Sequence, residues 1–464
     1  MAQCADMASI CERQARACLA NDSMRVCREL TRICAKQLDR LVFQNDVGRV
    51  GNLRQESVSM TLPLKGSLPD GRKPGRSSRD DFVDQLRGVA IFLVLLFHSL
   101  GAGFRTDGLK WNGLFPDLNV SGEFLLFLPL TLGWSGVAIF FAISGFCIHN
   151  SFSKETELGI FRYVVKRTFR IYPPFLFSLL LFSFVYPWHA VSIRPVGNFG
   201  NFVAHLGLVQ NFFADYIYGI NPSFWSIAIE FQLYFLYIII AFLIARVGWG
   251  ITLSVVFLTE TAVRLIESFY IMQYDVMPKL LAVNPLGFVF SWAVGAWVAE
   301  KCNSADRAHK VKLWMPVLLL ITAISCFFFK PLTAFSFMLF SSATAVMILY
   351  AHDKQFAFGP FAKGFVLLGT VSYSFYLIHQ PVVQLVPRVL SGLGVDSHPT
   401  AVLTLCVALV LPLFFMSALM RKYVEIPSIS AGYWFLYWWE RKILRWLPRK
   451  DNSPIDRAPE SPTV

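Results

Sequence analysis

Ten long apolar runs constrain this chain more than any other feature. Each is roughly 18 to 22 residues, enough for a helix to cross about 30 Å of hydrocarbon at 1.5 Å per residue. They fall at about 87–104, 126–149, 172–191, 223–245, 249–269, 282–299, 313–329, 333–350, 364–386 and 400–420. A bilayer core offers no water to backbone N–H and C=O groups, so a span is a helix or a strand of a closed barrel. The runs lack the period-2 alternation of barrel strands, which predicts helices. The expected fold class is therefore all-α: a polytopic membrane protein with about ten transmembrane helices. Only 16% of the residues are charged, against about a quarter in soluble domains.

Basic residues set the expected orientation. The loop 150–171 carries Lys154, Arg162, Lys166, Arg167 and Arg170, and the loop 300–312 carries Lys301, Arg307, Lys310 and Lys312. Further lysines and arginines crowd the chain after 420, whereas the alternate loops are poor in them. An even number of spans then places both termini in the cytoplasm. The net charge of +12 follows from this asymmetry and from contact with anionic lipid, so it requires no nucleic-acid partner.

Three regions are expected: a polar cytoplasmic extension at 1–80, a transmembrane domain at 81–430 and a basic, disordered cytoplasmic tail at 431–464. Met60 is an alternative start within the extension. Cys4, Cys11, Cys18, Cys27 and Cys34 lie in it, several of them seven apart. No Cys-x-x-Cys pair or neighbouring histidine supports a zinc site there, and no metal is expected.

Titratable residues inside spans are costly, which makes each a functional candidate. In DQLRGVAIFLVLLFHSL (84–100), Arg87 and His98 are eleven residues apart. That is close to three helical turns, so they share a face about 16 Å apart along the axis. Arg87 also suits a positive-inside anchor, and His98 a hydrogen bond between packed helices. In KRTFRIYPP (166–174), Arg167 and Arg170 stand one turn apart, a spacing that forks onto phosphate oxygens; topogenic charge is the other reading. In PSFWSIAIEFQLYF (222–235), Glu230 needs a partner within its apolar helix, with Tyr234 one turn on and Trp225 before it. Structural pairing and a part in the reaction are both open for Glu230. GTVSYSFYLIHQPVV (369–383) brings Tyr376 and His379 into one span, where His379 can also be a polar residue at a helix break before Pro381. In GWSGVAIFFAISGFCIHN (133–150), the small residues Ser135, Gly136, Ser144 and Gly145 predict close helix contact.

In this order, LRGVAIFLVLLFH, GWSGVAIFFAISGF, KRTFRIYPP, FWSIAIEFQLYF, VSYSFYLIHQPVV and RKYVEIPS resemble the motifs of the acyltransferase type 3 family of integral membrane acyltransferases. The resemblance covers about 82–430. It implies a ten-helix protein of a bacterial cytoplasmic (inner) membrane. Such a protein transfers an acyl group, usually acetyl, from cytoplasmic acetyl-CoA or another acyl-CoA to a hydroxyl of a surface carbohydrate or glycolipid. It also implies functional roles for Arg87, His98, Arg167 and Arg170. Many members carry a C-terminal esterase-like domain; none is expected after residue 421 here, in which case a separate periplasmic partner completes the transfer or the membrane domain acylates its acceptor directly.

Together the residues and the resemblance give a working site. Arg87, Arg167 and Arg170 are expected to bind the coenzyme A phosphates, and His98 to act as the catalytic base or, as the alternative, to accept the acyl group itself, with Glu230 and Tyr234 orienting it. Trp225, Tyr234, Tyr376 and His379 line the acceptor site. The rival from another class is a transporter or flippase using His98, Glu230 and His379 for proton or substrate coupling. No internal repeat or matched pair of broken spans supports it.

Overall fold

The computed structural model describes residues 78–104, 126–152, 159–185, 197–274, 278–304, 311–354, 362–395 and 398–444. The expectations for the N-terminal cysteines, for Met60 and for the tail beyond 444 lie outside the described residues. Every long element among the described residues is a helix. The chain order is α1 (Ser78–Phe104), a 3₁₀ segment (Leu128–Trp134) leading into α2 (Ser135–Phe152), α3 (Gly159–Leu180) and α4 (Gly197–Leu206). Next come α5 (Phe224–Tyr274), the short α6 (Lys279–Ala282), α7 (Val289–Asn303), α8 (Trp314–Phe328) and α9 (Thr333–Lys354). The last five are α10 (Ala362–Thr370), α11 (Ser372–Gly392), α12 (Pro399–Ala408), α13 (Val410–Met420) and α14 (Ile426–Leu444).

By length and hydropathy five helical stretches among the described residues can cross a membrane, or six if the bent pair α10–α11 counts as one. The difference from ten has three physical sources. First, α5 runs for 51 residues, roughly 75 Å of helix, so it holds two of the expected crossings. It divides at Gly248, whose backbone (φ 79, ψ 172) lies in a region that glycine alone enters freely. Second, α7 and α8 have only 15 residues each. Third, α3 carries its arginines inside the helix rather than in the preceding loop. Residues 431–444, expected to belong to a disordered tail, instead continue α14, which is held to α3 by an Arg162–Glu440 ion pair at 2.8 Å.

The expected single span at 364–386 is also bent, by 84° between α10 and α11. The bend lies where the chain presses against α1: a Cβ on Gly369 would sit 1.9 Å from the Asp84 carbonyl oxygen. No break follows His379, however, and α11 continues through Pro381. Proline has no N–H for the carbonyl four residues back. Asn221 supplies the missing donor, its amide reaching the Leu377 carbonyl at 2.9 Å. The same device serves α3, where Pro173 would leave the Phe169 carbonyl unpaired and the Ser428 hydroxyl donates to it. At Pro173 of α3 and Pro381 of α11, two helices that carry expected site residues, a distant side chain thus satisfies the carbonyl that the proline leaves unpaired.

The small residues of α2 do allow close packing. A Cβ at Gly145 would lie 1.9 Å from the Trp292 carbonyl oxygen of α7, and one at Gly295 of α7 would lie 1.9 Å from that of Ala142. The two helices meet backbone to backbone. Gly145→Ala forces them apart and is expected to destabilise the fold by about 1–3 kcal/mol. Thermal melting in detergent, followed by size-exclusion chromatography, checks this; an unchanged midpoint would mean that the crossing tolerates a methyl group.

Candidate active site

The site grows from α1, whose one face carries Arg87 near its start and His98 eleven residues on. Around Arg87 the fold gathers polar groups from five helices. Its guanidinium donates to Asp84 one turn earlier at 2.7 Å and to Cys147 Sγ of α2 at 3.1 Å. Cys147 is also within electrostatic reach of Arg167 on α3. Arg167 donates through Nη2 to Ser151 Oγ at 2.5 Å, while its Nε is buried with no hydrogen-bond partner among the described residues. Arg170, one turn on, lies within electrostatic reach of Arg167 and of Tyr373 on α11. The three arginines thus belong to one neighbourhood, although they come from helices 80 residues apart in sequence.

Glu230 belongs to this arginine neighbourhood as well. Its Oε1 accepts from Ser144 Oγ and from the Tyr234 hydroxyl, both at 2.7 Å, and its charge reaches Arg87. The Trp292 indole N–H donates to Ser144 Oγ at 3.2 Å, and the Tyr163 hydroxyl donates to the Tyr234 carbonyl at 3.0 Å. Glu230 Oε1 is thus engaged by Ser144 and Tyr234, and the bonds it makes lead toward the arginines. Tyr234 is itself buried.

His98 has a different partner. His379 Nε2 faces its Nδ1 at 3.0 Å, with the ring centroids 5.0 Å apart. His379 Nδ1 in turn donates to the Tyr376 carbonyl at 2.8 Å. His379 is wholly buried, whereas His98 is only partly so. His379, expected at the acceptor site, is placed directly against His98. A net of hydrogen bonds holds this part of α11 to the start of α5. Tyr376 Oη and Ser226 Oγ are 2.7 Å apart, Ser226 donates to the Ser223 carbonyl at 3.2 Å, and the Ser223 hydroxyl bonds Gln380. Trp225 stays partly exposed and packs near Phe288, with centroids 6.0 Å apart.

Sequence reasoning passed over several polar groups. Asp84 and Cys147 lie in DQLRGVAIFLVLLFHSL and GWSGVAIFFAISGFCIHN, and only the fold shows them on Arg87. Glu425, in RKYVEIPS, accepts from Ser374 Oγ at 2.8 Å. His149 lies between the Tyr237 hydroxyl at 2.6 Å and Glu300 at 2.9 Å. A buried Glu260–Arg264–Glu267 cluster occupies the second half of α5; its i, i+4, i+7 charge spacing inside an apolar run was the available signal.

A family model described as an acyltransferase domain matches residues 80–421. The chain belongs to the acyltransferase type 3 family. No match was found among curated proteins or among solved structures. The match of this acyltransferase runs from the start of α1 through α13 and includes both the arginine neighbourhood and the histidine pair. It favours an enzyme over the transporter reading. Among the described residues of the acyltransferase, no three histidines, cysteines or acidic residues converge as a metal site requires.

Proposed function

We propose that this membrane acyltransferase moves an acyl group, acetyl in the simplest case, from acyl-CoA in the cytoplasm to a hydroxyl of a surface or exported carbohydrate or glycolipid. One observation carries the reading: a partly open imidazole and a cluster of three arginines share one helix face and its neighbours, about 16 Å apart. Coenzyme A is a polyanion with a long flexible arm ending in a thioester. Arg87, Arg167 and Arg170 would hold its phosphates, with the unspent Nε of Arg167 as one donor. The arm would run along α1 to His98. His98 takes the proton of the attacking hydroxyl as its oxygen bonds the thioester carbonyl carbon. The C–S bond then breaks, the thiolate recovers a proton, and an ester remains on the acceptor. The ten crossings expected from the sequence, with both termini in a bacterial cytoplasm, would suit this direction of transfer. A separate partner outside the membrane is compatible with it.

The test is purified protein in lipid nanodiscs with acetyl-labelled acetyl-CoA and an oligosaccharide acceptor. Acceptor-dependent release of free coenzyme A, with label in a base-labile ester, supports the reading; no thioester loss with any acyl-CoA overturns it. In the same assay, Arg167→Lys combined with Arg170→Lys is expected to raise the acyl-CoA KM about tenfold while kcat changes little. A lysine keeps the charge but loses the planar fork that bonds two phosphate oxygens. An unchanged KM would leave these arginines with a topological role alone.

A further inference from the structure

We infer that His379 is a positioning residue that fixes the tautomer of His98, so that Nε2 of His98 carries the lone pair that acts as base. The inference rests on the reading of His98 as the base. The Tyr376 carbonyl oxygen only accepts, so His379 Nδ1, 2.8 Å away, carries a hydrogen. In a neutral ring the other nitrogen then bears a lone pair, and His379 Nε2 is an acceptor. The atom facing it at 3.0 Å is His98 Nδ1, which must therefore donate its hydrogen. His98 Nε2 is left as the acceptor; the Val94 carbonyl, one turn earlier on α1, is also within reach of the ring. An imidazolium at His379 would reverse this order, but that ring is fully buried between Phe375 and Tyr376, where an unpaired cation is strongly disfavoured.

The surroundings hold the pair in this arrangement. Asn221 on the Leu377 carbonyl, Ser226 at the Tyr376 hydroxyl and Ser223 at Gln380 fix the turn of α11 that presents His379. The logic parallels a serine-protease triad, with a backbone-anchored histidine standing where a carboxylate orients the catalytic imidazole. A neutral orienter suits an apolar interior, because it sets the tautomer without placing a second charge there.

The test combines a spectroscopic signature with kinetics. In protein labelled with ¹⁵N at its eight histidines, His98 Nε2 should give the shift of an unprotonated nitrogen and Nδ1 that of a protonated one. His379→Ala should return His98 toward the Nε2–H form that free histidine prefers in water. It should also lower kcat on the order of 10²-fold at unchanged acyl-CoA KM. His379→Gln, whose amide oxygen can accept from His98 Nδ1, should recover part of kcat. A protonated His98 Nε2 in the unmodified protein overturns the inference, as does a His379→Ala variant with unaltered kcat. The nitrogen shifts do not depend on turnover, so they decide the matter even if a variant folds poorly. An active His98→Ala variant would instead sink the parent reading, leaving the measured tautomer as it stands.

Discussion

His98→Ala is expected to lower acyl transfer by about two to four orders of magnitude, the usual contribution of a positioned general base, with little change in acyl-CoA binding. The donor's phosphates are assigned to Arg87, Arg167 and Arg170, none of which bonds His98, so the loss should fall on kcat. The fold should survive the change. His98 contributes one hydrogen bond to His379, whose other nitrogen stays anchored on the Tyr376 carbonyl, and the cavity left is partly open. His98→Gln is a useful companion, since its amide can donate to His379 Nε2 yet cannot take up a proton; its activity should stay as low as that of the alanine variant. The measurement is single-turnover thioester loss at saturating acetyl-CoA, beside acetyl-CoA affinity in the same nanodiscs. Full activity in either variant would remove His98 from the chemistry, and a parallel collapse of donor affinity would relocate it to binding.

Why His98 was visible in the sequence and His379's part was not is a matter of distance along the chain. Arg87 and His98 lie on one helix, and the 3.6-residue repeat alone aligns them. The partner of His98 is 281 residues away, so only the packing of α11 on α1 reveals it. The same holds for Glu230: an acid in an apolar helix announces that it needs a partner, but Ser144 as that partner is a tertiary fact. The small residues of α2 sit between these cases. Their spacing predicted close contact, and the crossing with α7 at Gly145 and Gly295 realises it. The bend at Val371 had no clear signal, since it arises where Gly369 is pressed against α1 rather than from a proline. Conversely Pro381 looked like a break and is not one, because Asn221 stands ready with a donor. Local periodicity thus exposes helices and shared faces, while the satisfaction of buried polar groups is decided by residues far off in sequence.

Arg264→Met is expected to leave little folded protein. Arg264 lies between two wholly buried carboxylates, donating to Glu267 at 2.9 Å and reaching Glu260 at 3.5 Å. It also bonds the Gly287 carbonyl and lies over Phe288, 4.9 Å from its centroid. Removing one partner from a buried ion cluster costs about 3–5 kcal/mol, because the remaining charge is stranded. That is a large share of the 5–15 kcal/mol that holds a typical fold. The damage should extend to the site. Glu260 accepts the Ser291 backbone N–H at 2.8 Å and the Ser291 hydroxyl at 2.6 Å, which satisfies the first turn of α7. The next residue, Trp292, holds Ser144, and Ser144 holds Glu230. A loosened α7 start should therefore disturb the arginine neighbourhood before the histidine pair. The decisive comparison is Arg264→Met alone against Arg264→Met with Glu267→Gln. Neutralising the stranded carboxylate should restore about 1–3 kcal/mol of the loss, read as a rise in melting temperature in detergent. If the single variant melts like the unmodified protein, the cluster does not hold α5 to α7. If the second change brings no recovery, the stranded charge is not the source of the loss, and the packing of Arg264 against Phe288 and Phe337 is.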